Sequence, residues 1–214
     1  MLELFERGGI MMYPLALTSL IAVAFIIERA ISLRKKKILV PEILSVVENF
    51  RSLNDIDLAR NICGKYQGPL SNIVLMALEN FHVSKEEMRE ILEDQGRQEI
   101  RGLQRGLVVL ETIASAAPLM GLLGTVIGMV EVFNVIQDQG IGQTAALSGG
   151  ISQALLTTVT GLFVGIPALI AYYYFSHKSE NLILDIEKYT NQLMNKIARI
   201  KQQDKALETL EKDQ

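Results

Sequence analysis

The sequence predicts an all-α membrane protein with three transmembrane helices, the second and third extended into a cytoplasmic helical domain. Hydrophobic residues make up 49% of the 214 positions, and they are concentrated in three long runs that contain almost no charges. A bilayer core of about 30 Å is crossed by ~20 helical residues, a length that suits each run. The net charge of -3 is mild, so the composition gives no indication of a nucleic-acid partner.

The first run, residues 10–27, has eighteen residues without a charge. Pro14 lies near its start, where a proline disturbs a helix least. The preceding segment, residues 1–9, carries Glu3 and Glu6 where a cleavable signal peptide would be basic, so none is predicted. This segment is interpreted either as lying on the outer surface of the membrane or as a frayed terminus.

The second and third runs are longer than a membrane requires. Residues 107–136 are interrupted only by Glu111 and Glu131, and residues 147–175 contain no Asp, Glu, Lys, Arg or His. At 1.5 Å per residue they measure about 45 and 43 Å, so both helices are expected to continue beyond the hydrocarbon core. The two glutamates are interpreted either as interfacial groups with a neighbouring partner or as groups that guide ions at a mouth.

The distribution of Lys and Arg predicts the orientation. Basic residues follow the first run at once, at 29 and 34–37, and they recur in the tail, whereas the short segment between the later runs has none. By the positive-inside rule, the long middle segment and the tail are cytoplasmic. The predicted order is an N-terminal outer-face segment 1–9, transmembrane helix 10–27, cytoplasmic helical segment 28–106, transmembrane helix 107–136, periplasmic loop 137–146, transmembrane helix 147–175 and cytoplasmic helical tail 176–214.

The cytoplasmic segment is predicted to be helical throughout. Short amphipathic runs at 41–53, 55–64 and 69–81 are separated by Asn-Asp and Gly-Pro breaks. Ser84 followed by Glu87 predicts a capping box for a helix that reaches about residue 105 and runs into the second span. The single cysteine, Cys63, is interpreted as a small buried hydrophobe.

The motifs of soluble enzymes are missing from the sequence. It contains no GxxxxGK[ST] phosphate loop, no HExxH, no GxSxG and no paired cysteine cluster. His82 and His177 are isolated, which makes a poor metal site. We therefore predict neither an enzyme nor a resident cofactor or metal.

Small residues recur at helix-packing spacing in both later spans. They are Gly121, Gly124 and Gly128 in the second span and Gly161 and Gly165 in the third. Such spacing lets membrane helices approach closely, and these faces are expected to build a homo-oligomeric ring. Pro118 and Pro167 each remove a backbone donor and predict a helix bend.

A polar stripe marks the third span, because Gln153, Thr157 and Thr160 fall at i, i+4 and i+7. A threonine in a membrane helix can simply donate to the carbonyl four residues back in its own helix. Several polar side chains on one third of a span instead favour a face towards a bundle interior or a water-lined path.

Two stretches carry a family resemblance. APLMGLLGTVIGM and GGISQALLTTVTGLFVGIPALIAYYYF resemble the second and third helices of the MotA/TolQ/ExbB family, and three spans favour its TolQ/ExbB branch. The resemblance implies a ring of five chains in a bacterial inner membrane. The ring would enclose two single-span helices of a TolR/ExbD-like partner with an intramembrane Asp, and a TonB/TolA-like envelope protein and membrane lipid are further implied contacts.

The resemblance also assigns positions to the ion path. A Thr on the second helix and a Thr on the third line the path in this family, and they match Thr125 and Thr158, with Thr157 adjacent. The family's third helix usually carries a Glu where this sequence has Gln153, which cannot titrate. That departure leaves proton and sodium both open as the transported ion.

Three functions remain to be weighed at this stage. An ion-driven motor subunit is favoured over a subunit of a solute permease, which would need a substrate cavity and an ATPase-coupling loop. A structural membrane scaffold would not need the polar stripe. Because the third span has no acid or base, a partner must supply the ion carrier for a motor.

Overall fold

The computed structural model describes residues 8–140 and 144–212, without the side chains of 139, 144–146 and 205–212. Every regular element among these residues is helical, so the predicted all-α class is confirmed. The elements are α1 Met12–Ser32, α2 Lys35–Ile38, α3 Pro41–Asn49, a 3-10 turn Leu53–Asp55, α4 Ile56–Lys65, α5 Pro69–Glu79, α6 Lys85–Gln104, α7 Leu107–Gln139 and α8 Thr144–Lys212.

Three helical stretches in the described part of the chain are long and apolar enough to cross a membrane: Met12–Ser32, Lys85–Asp138 and Leu147–Asp204. The prediction of three spans with an extended second and third helix is therefore confirmed. Residues 1–7 and 141–143, which belong to the predicted outer segment and loop, lie outside the described residues.

The helix expected to reach about residue 105 ends at Gln104, and the chain continues from it into α7. A two-residue turn at Arg105 and Gly106 separates the two helices. A Cβ atom at Gly106 would lie 2.7 Å from Nε of Arg29, near the end of α1, so glycine is the residue that admits this approach. Arg29 itself is only 6% exposed and forms an ion pair with Glu28.

The chain divides into two compact units. The first comprises Met1–Ile31 and Arg105–Ser176, and it contains α1, α7 and the first half of α8. Its core is a small apolar cluster of Leu15, Ala22, Ile113, Ala114, Ala117, Val164 and Ala168. Large apolar side chains such as Phe163, which is 79% exposed, cover the outside. Outward apolar side chains on long helices are the surface that a lipid environment requires.

The second unit comprises Ser32–Gln104 and His177–Gln214. Prolines open two of its helices, Pro41 in α3 and Pro69 in α5, where the missing N–H is not needed. Ser84 Oγ accepts from Glu87 N at 3.1 Å, as the predicted cap of α6 requires. Ile43, Val47, Leu70, Ile73 and Leu78 are among its fully buried residues.

Two lysines attach the distal part of α8 to the rest of the second unit. Lys196 Nζ donates to the carbonyl of Val47 at 2.9 Å, in the last turn of α3. Lys201 Nζ donates to the carbonyl of Val83 at 2.6 Å, in the turn before α6. A cation at a helix C-terminus satisfies carbonyls that have no donor in their own helix, as Lys196 does at α3, while Lys201 joins α8 to the turn before α6.

Cys63 is buried in the second unit, as its sequence context predicted. Burial raises the pKa of the thiol from 9.0 to about 11, against the smaller opposing effect of the nearby Ser71. We expect alkylation by iodoacetamide at pH 8 to be about 100-fold slower in the folded protein than in denaturant, since only the thiolate reacts. Mass spectrometry of timed samples measures both rates, and equal rates would contradict a buried, protonated thiol.

The same shift has a consequence for stability. Because the folded pKa lies above the unfolded one, the contribution of the neutral Cys63 thiol is complete below pH 9 and is lost as the pH rises towards 11. In Cys63→Ala, the loss of unfolding free energy between pH 9 and 11 that comes from ionisation of this thiol should be absent.

Candidate functional site

The α7–α8 pair is held together by backbone contact at glycines. A Cβ atom at Gly161 would lie 2.6 Å from the carbonyl oxygen of Ala117 and 2.9 Å from Cα of Gly121. A Cβ atom at Gly121 would in turn lie 2.9 Å from the carbonyl oxygen of Thr157. No other residue type fits at this closest approach, which makes the pair a rigid base for the side chains along its edges.

The remaining small residues continue the same contact towards the C-terminal end of α7 and the N-terminal end of α8. A Cβ atom at Gly128 would lie 3.1 Å from Cβ of Ala154 and from the carbonyl oxygen of Gly150. Gly124 faces Thr157, whose Oγ1 would be 2.5 Å from such a Cβ atom. The prediction that these glycine faces build a ring is therefore wrong in placing them between chains, because α7 and α8 of one chain already occupy them.

Pro118 lies on this interface as well. A Cβ atom at Gly165 would lie 2.7 Å from Cγ of Pro118 and 3.3 Å from the carbonyl oxygen of Ala114. In a regular helix the Ala114 carbonyl would accept from the backbone N–H of residue 118, which proline lacks. Gly165 therefore leaves space for both the pyrrolidine ring of Pro118 and the Ala114 oxygen left without that donor. Pro118 and Pro167 both lie inside uninterrupted helices, and their predicted bends stay predictions.

The hydroxyl groups of the site differ in their partners. Thr125 Oγ1 donates to the Leu122 carbonyl at 2.6 Å, and Thr157 Oγ1 to the Ala154 carbonyl at 2.8 Å, each within its own helix. Thr160 behaves in the same way with Leu156. Thr158 alone among these threonines donates across the pair, to the Gly121 carbonyl at 3.3 Å. Three of the four hydroxyls thus bond within their own helix: Thr160 to the carbonyl four residues back, as the local interpretation states, and Thr125 and Thr157 to the carbonyl three residues back.

Burial separates these threonines further. Thr157 is 1% exposed and packs between the two helices, whereas Thr125 and Thr158 are half-buried at the edge of the pair. A threonine hydroxyl has one donor and two acceptor positions. With the hydrogen turned to a carbonyl, Thr125 and Thr158 offer oxygen lone pairs, which suit a cation.

Gln153 has a partner that the sequence did not reveal. Its Nε2 donates to Oε2 of Glu131 on α7 at 3.3 Å. On its other side the turn before α1 approaches closely, since a Cβ atom at Gly9 would lie 2.9 Å from Cδ of Gln153. Gly9 has a φ of 70°, a left-handed conformation that favours glycine. Gln153 is thus held between a glutamate and a glycine turn.

The polar groups do not share one edge of the α7–α8 pair. Gln153 and Thr158 are five residues apart on α8, which at 3.6 residues per turn places them about 140° apart around the helix. Thr158 reaches the Gly121 carbonyl, while Gln153 faces Glu131 and Gly9. Gln153 and Thr158 thus occupy two separate polar positions, and the prediction that both line one ion path stays a prediction.

One signal in the sequence could have found the Glu131–Gln153 contact. Antiparallel helices joined by a short loop bring together residues at equal distances from that loop. Glu131 lies six residues before the predicted loop 137–146, and Gln153 lies seven residues after it. Counting outward from the loop therefore pairs these two positions.

These features define a helical membrane protein whose second and third spans form a tightly packed pair with polar groups on its edges. A family model described as the MotA/TolQ/ExbB proton channel family matches residues 65–188. The chain belongs to this MotA/TolQ/ExbB family, on the ExbB-like side.

Individual relatives are described as ExbB proteins, ExbB homologues or ExbB-like proteins. The chain is 33% identical to an ExbB homologue of Methanothermobacter thermautotrophicus in an alignment of 195 residues that covers 89% of this chain and 69% of that protein. It is 32% identical over 181 residues to the biopolymer transport protein ExbB-like 1 of a Synechocystis strain, covering 80% of this chain and 69% of that one. The biopolymer transport protein ExbB of Aquifex aeolicus is 40% identical over 85 residues, 40% of this chain and 57% of its own length.

Proposed function

We propose that this chain is the ring-forming subunit of an ion-driven motor in a bacterial inner membrane. It couples a flow of protons or sodium ions to mechanical work on the cell envelope. The observation that carries the proposal is the α7–α8 pair, which is rigid at its glycines and presents Thr125 and Thr158 at its edge. Family membership supports the channel part of the proposal.

The carrier of the ion comes from a second protein. Residues 147–175 hold no acid or base, so α8 has no group that could bind and release a proton within the span. We assign that task to an intramembrane Asp of a TolR/ExbD-like single-span partner. A carboxylate in the middle of a membrane costs about 2.5–3.5 kcal/mol, and one charge crossing ~150 mV yields roughly 3.5 kcal/mol. Because these two energies are similar, a few well-placed oxygens decide whether ions pass.

Thr125 and Thr158 supply such oxygens in this mechanism. Each hydroxyl keeps lone pairs free while its hydrogen is engaged by a carbonyl. They would coordinate a cation as it reaches the partner's carboxylate. Thr157, buried behind them against Gly124, keeps the wall of the path in place.

The assembly follows from the surfaces that remain free. The glycine faces are used within the chain, so the ring contacts of the proposed pentamer fall on the exposed apolar faces of the spans, such as Leu155 and Phe163. In this arrangement the N-terminus is periplasmic, and residues 28–106 and 176–214 are cytoplasmic. A TonB/TolA-like protein would carry the motion outward.

Reconstitution with the partner tests the proposal. The chain is co-expressed with a TolR/ExbD-like protein of the same organism, purified, and its copies are counted by native mass spectrometry in mild detergent. The complex is then placed in liposomes, and proton and sodium influx are followed separately under an imposed potential. We expect several copies of this chain per complex and an ion flux that needs both proteins. A monomer in both detergent and lipid, or a complex without flux of either ion, would overturn the proposal.

A further inference from the structure

Glu131 is an acidic group that the proposed mechanism leaves unused. It lies on α7 eight residues before the end of the helix at Gln139, or about 12 Å along the axis. Its side chain is exposed, and Gln153 Nε2 donates to Oε2 of its carboxylate. Within the described residues Oε1 of Glu131 has no hydrogen bond, so this oxygen is accessible from outside the chain.

The position of this carboxylate is fixed by its neighbours. Gln153 cannot swing away from the α7–α8 pair, because the turn at Gly9 packs directly on its amide. Val132, the next residue on α7, is buried against Gly150 of α8 and holds the helix in register at the same height. Glu131 is thus an accessible charge with a defined place, whereas a surface glutamate on a free helix would sample many positions.

Within the described residues of α7 and α8, few charges lie near this carboxylate. Residues 147–175 of α8 contain none, and the next acid on α7 is Asp138, two turns further towards the helix end. The carboxylate of Glu131 is therefore the one acidic group of α7 that contacts α8 through a described hydrogen bond. Carboxylate oxygens can accept a proton and can also serve as ligands for hard cations.

We propose that Glu131 is a cation-contacting residue at the outer end of the α7–α8 pair and that Gln153 is its positioning residue. This inference rests on the proposed function. It places the acidic group that contacts the ion on α7, since α8 carries Gln153 where the family usually has a Glu. Gln153 itself is neutral, but α7 places the Glu131 carboxylate against its amide. The α7–α8 pair therefore still has an acidic group at this position. The Glu131 carboxylate lies towards the C-terminal end of α7, apart from the threonine oxygens deeper in the span.

An exchange of the two side chains tests this arrangement. Glu131→Gln keeps the size and hydrogen bonding of the side chain but removes its charge, and we expect ion flux through the reconstituted complex to fall at least tenfold. Glu131→Gln combined with Gln153→Glu returns a carboxylate to the same contact from the other helix. We expect this double variant to regain flux to within about threefold of the unmutated complex, a rescue that a purely structural role for Gln153 would not produce.

Asp138→Asn is the matched control, because it removes an exposed acid from the same helix and leaves the Glu131–Gln153 contact intact. It should conduct like the unmutated complex. Full flux in Glu131→Gln would overturn this inference while leaving the motor proposal standing. A complete absence of flux in the unmutated complex would instead count against the motor itself. Native mass spectrometry of each variant verifies that the assembly is unchanged.

Discussion

Replacing Gly161 by leucine should strongly destabilise the first unit. The new side chain would begin 2.6 Å from the Ala117 carbonyl and 2.9 Å from Cα of Gly121, and both are backbone atoms that no rotamer change can move. Overpacking a core with a larger side chain typically costs 1–3 kcal/mol, and a clash with backbone lies at or above the upper end of that range. We expect a loss of at least about 3 kcal/mol. Thermal unfolding in detergent and resistance to protease measure it.

Gly149→Leu is the matched control on the same helix. A Cβ atom at Gly149 has nothing within 4 Å, so the same change in size should leave the melting temperature nearly unaltered. If Gly161→Leu were as stable as Gly149→Leu, the close contact of α7 with α8 within one chain would be contradicted.

Replacing Thr158 or Thr125 by valine should reduce ion flux by about tenfold or more while the assembly persists. Valine keeps the branched shape and removes the oxygen that would contact the ion. A hydrogen bond or contact to a charged group is worth about 1.5–3 kcal/mol, which corresponds to roughly one to two orders of magnitude in rate. The measurement is flux through the reconstituted complex under separate proton and sodium gradients, with subunit counting to show that the ring is intact.

Thr112→Val serves as the control for these variants. Its hydroxyl is exposed and donates to the Val108 carbonyl at 2.8 Å, so it has the same local hydrogen bond without a place at the proposed path. It should retain full flux. Full activity of both Thr158→Val and Thr125→Val under each gradient would show that these side chains do not line the path.

The fold was predictable because it depends on periodicity and length. Three apolar runs, the placement of Lys and Arg, and the proline and serine helix starts at Pro41, Pro69 and Ser84 are local features of the chain. Each local feature has one dominant structural outcome, whether a membrane span or a helix N-terminus. The family could also be recognised, because its marks are concentrated in two continuous stretches of sequence.

The contacts between helices were harder to predict. A glycine face shows that a helix packs closely against something, but the sequence does not say whether the neighbour is the same chain or another copy. For Gly121 and Gly161 the structure answers that question, and the assignment to the ring was wrong. The pairing of Glu131 with Gln153 depends on the register of two antiparallel helices, which hydrophobic periodicity alone does not fix.

The break between α6 and α7 was missed for a similar reason. A single glycine in a helical pattern is usually tolerated, so Gly106 gave no sign of a helix end. Its role depends on Arg29, which is distant in sequence and approaches the turn closely. Only a three-dimensional neighbour distinguishes such a glycine from Gly96 or Gly102, which have open space around them.

The mutual fit of α7 and α8 also bears on how the protein is made. Glycine lowers the stability of a lone helix by about 1 kcal/mol per residue relative to alanine, and each of these two spans carries several. The close backbone approach that compensates for this loss exists only when α8 lies beside α7. We therefore expect α7 and α8 to be inserted as one helical hairpin, with α7 stable in the membrane only after α8 has been synthesised.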